Sequence, residues 1–254
     1  MATRTISNEL RDVMKQLRLG QLLATLPERI TLAEKGALPI EDFLLGIFTD
    51  EVERRHGAAA TRRADAAGLD PDMVFERWDK GAKVTFDRRV LQELSSLRFV
   101  EAHRNVVILG PVGVGKTFVA CALGHIACRS GFNVRFHRAD DLLRLLRQSR
   151  LDNSREALMI ELSTVDLLII DDFALEPMAR DESRDVYQLF VERTARAATI
   201  ITSNRDTADW LALFDDALLG QSAVDRFKNN AYDLVIDGES YRQRLKPTLK
   251  SAAR

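Results

Sequence analysis

Residues 110–117 read Gly-Pro-Val-Gly-Val-Gly-Lys-Thr and follow directly on the apolar run Val106-Val107-Ile108-Leu109. The spacing fits G-x-x-x-x-G-K-[ST] in the setting that motif requires, with a strand before it and a helix, expected over 116–129, after it. In such a loop the glycines let successive backbone N–H groups turn inward around phosphate oxygens, and the helix adds its positive N-terminal end. Lys116 then offsets charge on the outer phosphates, and the Thr117 hydroxyl is placed to ligate Mg²⁺. The complete motif between strand and helix separates this loop from a glycine-rich turn that binds nothing. The expected nucleotide contacts are Gly110, Pro111, Val112, Gly113, Val114, Gly115, Lys116, Thr117 and Phe118.

From Asn105 onward, short β-type runs alternate with helical stretches. Strands are expected at 106–109, 134–137, 165–170, 199–202 and 234–236, and helices at 116–129, 140–150, 154–162, 180–196 and 222–228. That alternation predicts an α/β fold with a parallel five-stranded sheet and helices on both faces. The third strand, Leu167-Leu168-Ile169-Ile170, ends in Asp171-Asp172. Four apolar residues closing in two carboxylates describe a buried central strand that delivers both acids to its C-terminal edge, where ligands gather in such sheets. Asp171 is expected to hold Mg²⁺, and Asp172 to orient or deprotonate the attacking water, with a turn cap as the alternative role for Asp172. The acid at this position is more often Glu, and the shorter Asp suggests slow turnover until an assembly closes the site. Asn204 follows the strand 199–202 in Ser203-Asn204-Arg205 and is a candidate sensor between water and γ-phosphate, although Asn and Ser are also ordinary turn formers.

The chain has 254 residues, 46% hydrophobic and 30% charged, enough to build a large domain or a domain with an appendage and too apolar for disorder. No apolar run approaches the ~18 residues of a membrane helix, and residues 1–10 lack the apolar stretch of a secretory signal, so a cytoplasmic protein is expected. Cys121 and Cys128, seven apart in one expected helix, are too far apart for a disulfide and are read as packing residues. Apolar positions recur at helical spacing through residues 1–60, which suggests a small all-helical N-terminal domain. Residues 61–86 are rich in Ala, Asp and Gly, contain Pro71 and lose that period, so they are expected to form a linker. The remainder, 87–254, would be the nucleotide-binding domain with a short basic tail.

The stretches GPVGVGKT, LLIIDDF, IITSNR, Ala223–Phe227 (AVDRF) and Gly238–Arg242 (GESYR) together resemble the IstB family, ATPase helpers of insertion-sequence transposition. The resemblance extends through LRLGQLLATL (17–26) and LQELSSLRFV (91–100), nearly the whole chain. It implies a P-loop NTPase of the AAA+ type, related to DnaC-type helicase loaders, using ATP and Mg²⁺. On this resemblance Arg226 matches an arginine finger that reaches the γ-phosphate of a neighbouring subunit, and Arg242 matches a second phosphate sensor. The bland alternatives are a surface salt bridge for Arg226 and a tail cation for Arg242. Only 12 residues follow Arg242, so no separate C-terminal lid is expected, as in the family. Ala174 stands where the pattern leads one to expect Gly.

The resemblance further implies duplex DNA bound without regard to sequence, an IstA-like transposase as partner, and self-association into an ATP-dependent oligomer. Net charge is −1, so positive surface must be local. Residues 238–254 carry five basic groups against one acidic. Arg54, Arg55, His56, Arg62 and Arg63 form a second island. Arg144, Arg147 and Arg150 step by three along one helix face, with Asp140 and Asp141 placed to cap the helix start and leave these arginines unpaired locally. A solvated face is the ordinary reading of such a cluster. Repeated around an oligomer, the stripe would track the phosphate backbone, so these three are the expected DNA contacts. Competing functions are a DnaC-like helicase loader, a small-molecule P-loop kinase and a nucleotide-binding scaffold without turnover.

Overall fold

The computed structural model describes residues 6–79 and 81–241. The chain divides into two compact units, Met1–Ala59 and Ala60–Arg254. In the first, α1 (Asn8–Gln16) is capped by the Ser7 hydroxyl, which accepts from Leu10 N–H at 3.2 Å. A 3₁₀ turn (Gly20–Ala24), α2 (Leu26–Lys35) and the start of α3 (Ile40–Ala67) complete it, and Met14, Leu22, Leu26 and Ile47 form its small core.

The expected linker of residues 61–86 is not one. Helix α3 runs on through residue 67 and ends in a Schellman motif, with Leu69 N–H donating to Ala64 C=O at 3.1 Å and Gly68 N–H to Asp65 C=O at 3.1 Å. Ala64, Ala67 and Leu69 are buried in the main core of the second unit. Alanine at these positions lets the helix pack closely on its neighbours. That face therefore carries no large apolar residue to mark a period in the sequence. Beyond it lie β1 (Val84–Thr85), α4 (Arg88–Ser95) and α5 (Arg98–Glu101).

The central sheet then alternates with helices as expected. The elements are β2 (Asn105–Leu109), α6 (Lys116–Arg129), β3 (Val134–Arg138), α7 (Ala139–Leu151), α8 (Arg155–Thr164), β4 (Leu167–Phe173), α9 (Arg180–Arg193), β5 (Ala198–Ser203), α10 (Ala217–Lys228), β6 (Ala231–Val235) and β7 (Asp237–Gly238). Five strands pair in the order β3-β4-β5-β2-β6, all parallel. Strand β4 is an inner strand, second from the β3 edge rather than central, and is buried on both faces, with Leu167 and Ile169 in one core and Leu168 and Ile170 in the other. The first core lies against α6 and residues 64–69, the second against α7 to α10. Several boundaries differ from expectation: β4 runs over Leu167–Phe173 rather than 165–170, and β6 over Ala231–Val235 rather than 234–236. Helix α10 begins at Ala217 because Asp216 caps it, accepting from Leu218 and Leu219 N–H, and α9 ends at Arg193, two residues before Ala195 turns to φ 58°.

The arginine stripe on α7 is also not as expected, because none of the three is unpaired. Arg144 pairs with Asp141, Arg147 with Glu182 at 2.7 Å, and Arg150 with Asp185 at 2.7 Å. Asp185 is buried on α9 and also receives Arg155 at 2.6 Å. Two of the three arginines thus tie α7 to α9, through acids 35 residues away that no local spacing reveals. Among the described residues no helix is long and apolar enough to cross a membrane.

Candidate functional site

Strand β2 ends in the loop 110–115, and α6 begins at Lys116. Gly113, at φ 85°, adopts a backbone that L side chains rarely accept, and a Cβ there would lie 2.1 Å from Ser240 Oγ. Gly110 sits against Ile236, whose carbonyl oxygen would lie 2.0 Å from an added Cβ. Both glycines are therefore required by the chain that crosses the loop.

Lys116 is buried, and its Nζ donates to Pro111 C=O at 2.8 Å and to Asn204 Oδ1. Parallel pairing of β2 with β5 sets Leu109 beside Ser203, which brings Asn204 to the loop. Pairing of β4 with β5 brings in the acids. Thr117 Oγ1 donates to Asp171 Oδ2 at 3.0 Å, and Thr202 Oγ1 donates to Asp171 Oδ1 at 2.6 Å. The same Thr202 hydroxyl accepts the Asp172 N–H at 2.9 Å. Burial pushes the Asp171 carboxyl up, and the neighbouring Asp172 charge adds to this against the two hydroxyl hydrogen bonds.

A hard hydroxyl oxygen converging with a carboxylate whose charge burial disfavours fits Mg²⁺, which takes one or two protein oxygens and completes its shell with water and phosphate. Thr117 and Asp171 would hold it. When bound it neutralises charge on the phosphates.

Asp172 breaks the register of β4 at φ 54°, in the left-handed region that Asp tolerates better than most residues, and its carboxylate stays partly exposed. Arg138 Nη2 stands 3.8 Å from it. Ala174, two residues on, is buried at φ 67°. The glycine expected there is thus a matter of strain. Ala174→Gly should raise stability by about 1 kcal/mol in urea unfolding, and an unchanged or lower midpoint would contradict that reading.

A cavity of about 530 Å³ joins these residues. Val112 to Phe118, Asp172 and Asn204 line it, as the sequence suggests, but so do Met73, Trp78, Ala82, Val84, Leu175 and Tyr241, which the motifs did not single out. Thr202 and Arg138 were likewise missed as site residues. Trp78, Phe86 and Phe118 are the one signal that was available, an aromatic cluster on both sides of the loop. Their rings pack edge to face, Trp78 to Phe118 at 5.1 Å and Trp78 to Phe86 at 6.2 Å. Arg226 is exposed on α10, outside the cavity lining, and makes no salt bridge among the described residues. Arg242 and the basic tail lie outside the described residues.

A family model described as IstB-like ATP binding protein matches residues 12–249. An insertion-sequence ATP-binding protein of Mycobacterium tuberculosis is 35% identical over 94% of this chain and 95% of its own. The ATP-binding protein of insertion sequence IS21 from Pseudomonas aeruginosa is 34% identical over 94% of this chain and 90% of its own. Among solved structures the DnaC helicase loader superposes with a TM-score of 0.52 at 21% identity, covering 58% of this chain and 86% of that one, a likeness of fold.

Proposed function

The chain belongs to the IstB-like ATP-binding protein family, and from that premise we propose that it is an ATPase that assembles on duplex DNA and serves the transposase of its insertion sequence. The observation that carries hydrolysis is the polar end of the cavity. Lys116, Thr117, Asp171, Asp172 and Asn204 converge there, and what they offer is suited to positioning water. Water attacks the γ-phosphorus, the bond to the β–γ bridging oxygen breaks, and Asp172 takes the proton while ADP leaves. Lys116 offsets the charge that gathers on the phosphate oxygens, and its bond to Asn204 holds that amide beside the attacked group.

Assembly is supported by Arg226. Standing exposed and outside its own cavity, it is available to a neighbour's γ-phosphate. Within such an assembly Arg144 and Arg147, exposed despite their partners, are the candidates for phosphate contacts, whereas Arg150 is more enclosed in its pairing with Asp185. The insertion-sequence relatives favour a transposase partner over the helicase of the alternative reading. Electron microscopy of the protein with duplex DNA and a non-hydrolysable ATP analogue tests this. Ordered oligomers on DNA are expected, and a uniform monomer in that mixture would refute the assembly.

A further inference from the structure

The cavity has two chemically different ends, and the motifs explain one of them. Beside the phosphate cradle stands a wall made by Met73, Trp78, Ala82, Val84, Phe118 and Tyr241. All but Phe118 come from outside the nucleotide motifs, and four come from the segment that reads as a linker. Trp78 is only partly buried, with its six-membered ring against Gly115, where an added Cβ would lie 3.0 Å from it, and it meets the Phe118 ring in a T-shaped contact. The indole thus stands beside the phosphate loop and the first turn of α6, on the wall of the same cavity.

The wall is held in place by a clasp. Strands β1 and β7 pair antiparallel, Val84 with Gly238 and Thr85 with Asp237, and Glu239 N–H donates to Lys83 C=O at 3.1 Å. Tyr241 N–H then donates to Gly113 C=O at 2.8 Å. The two segments that line this wall of the cavity are thus fastened to each other and to the phosphate loop.

Resting on the reading of this cavity as an ATP site, we infer that the clasp is the nucleobase site, with Trp78 as the residue on which the base stacks. Phosphates in the cradle fix one end of the nucleotide, and an aromatic face at the other is the chemistry a purine selects. Trp78 is then a binding residue, and the clasp sets its distance from the loop.

The test compares two probes, the non-hydrolysable analogue AMP-PNP and inorganic tripolyphosphate, by calorimetry in magnesium buffer. Trp78→Ala should weaken AMP-PNP about fivefold or more and leave tripolyphosphate unchanged. Trp78→Phe, which keeps a π face, should bind AMP-PNP within a few-fold of the native protein. The chain has two tryptophans, and Trp210 is fully buried in the second core, so a change in emission on AMP-PNP binding should vanish in Trp78→Phe. Native AMP-PNP affinity in Trp78→Ala, equal loss for both probes, or an emission change that survives Trp78→Phe would overturn the inference. A native protein that binds neither probe overturns the ATP reading and this inference with it. One that binds AMP-PNP no better than tripolyphosphate overturns this inference alone.

Discussion

Asp172→Asn should lower phosphate release about 10²- to 10⁴-fold while leaving ATP affinity within a few-fold of native. The magnitude is that of a general base removed from a positioned water. The substitution isolates chemistry because of where the residue sits. At φ 54° the backbone is left-handed, a conformation that Asn accepts as readily as Asp, so the strand end keeps its shape. The N–H of residue 172 still donates to the Thr202 hydroxyl, and Thr202 still donates to Asp171, so the metal-side carboxylate stays oriented. What is lost is one carboxylate charge and a 3.8 Å approach to an exposed Arg138, which adds little to stability. Measured with and without DNA, equal rates for native and variant protein would remove Asp172 from catalysis and leave it a turn residue. Asp172→Glu is a less clean probe, since Glu is less suited to a left-handed backbone and its effect would mix geometry with chemistry.

Much of this site is legible in the chain because its chemistry is local. Eight consecutive residues specify the phosphate loop, and four apolar residues before two acids specify a buried inner strand. The parallel sheet follows from alternation, and parallel register then brings Asn204 to Lys116 and Thr202 to Asp171 across distances of 88 and 31 residues. The errors arise where the deciding contact is distant or the side chain is small. Alanine at 64 and 67 packs as a core helix yet carries no hydrophobic period, so 61–86 reads as a linker and the wall bearing Trp78 is hidden with it. The arginines of α7 step evenly by three, which looks like a free stripe. Arg144 pairs locally with Asp141, but the partners of Arg147 and Arg150, Glu182 and Asp185, sit on α9, and only the tertiary fold sets the two helices together. Thr202 looks like any β-branched strand residue until β4 and β5 are paired.

Arg226→Ala should reduce assembly-dependent hydrolysis about a thousandfold or more, the range in which arginine fingers act on phosphoryl transfer. Stability should barely change, because the side chain is exposed on α10 and makes no salt bridge among the described residues. Loss of activity alone would not distinguish a finger acting on a neighbour from a residue acting within its own chain. Mixing makes that distinction. In a head-to-tail assembly each site joins the cavity of one subunit to the finger of the next. Arg226→Ala keeps an intact Asp172, and Asp172→Asn keeps an intact Arg226, so each protein is inactive alone. When the two co-assemble on DNA, some interfaces place a native Arg226 against a cavity that holds a native Asp172, and these are complete. Phosphate release should therefore reappear on mixing, rise with the amount of the partner variant, and fall again in high salt that disperses the assembly. If the mixture is no more active than the sum of its parts, although sedimentation shows both variants in one oligomer, Arg226 does not act across an interface. The proposed dependence of hydrolysis on assembly would then need another residue to carry it.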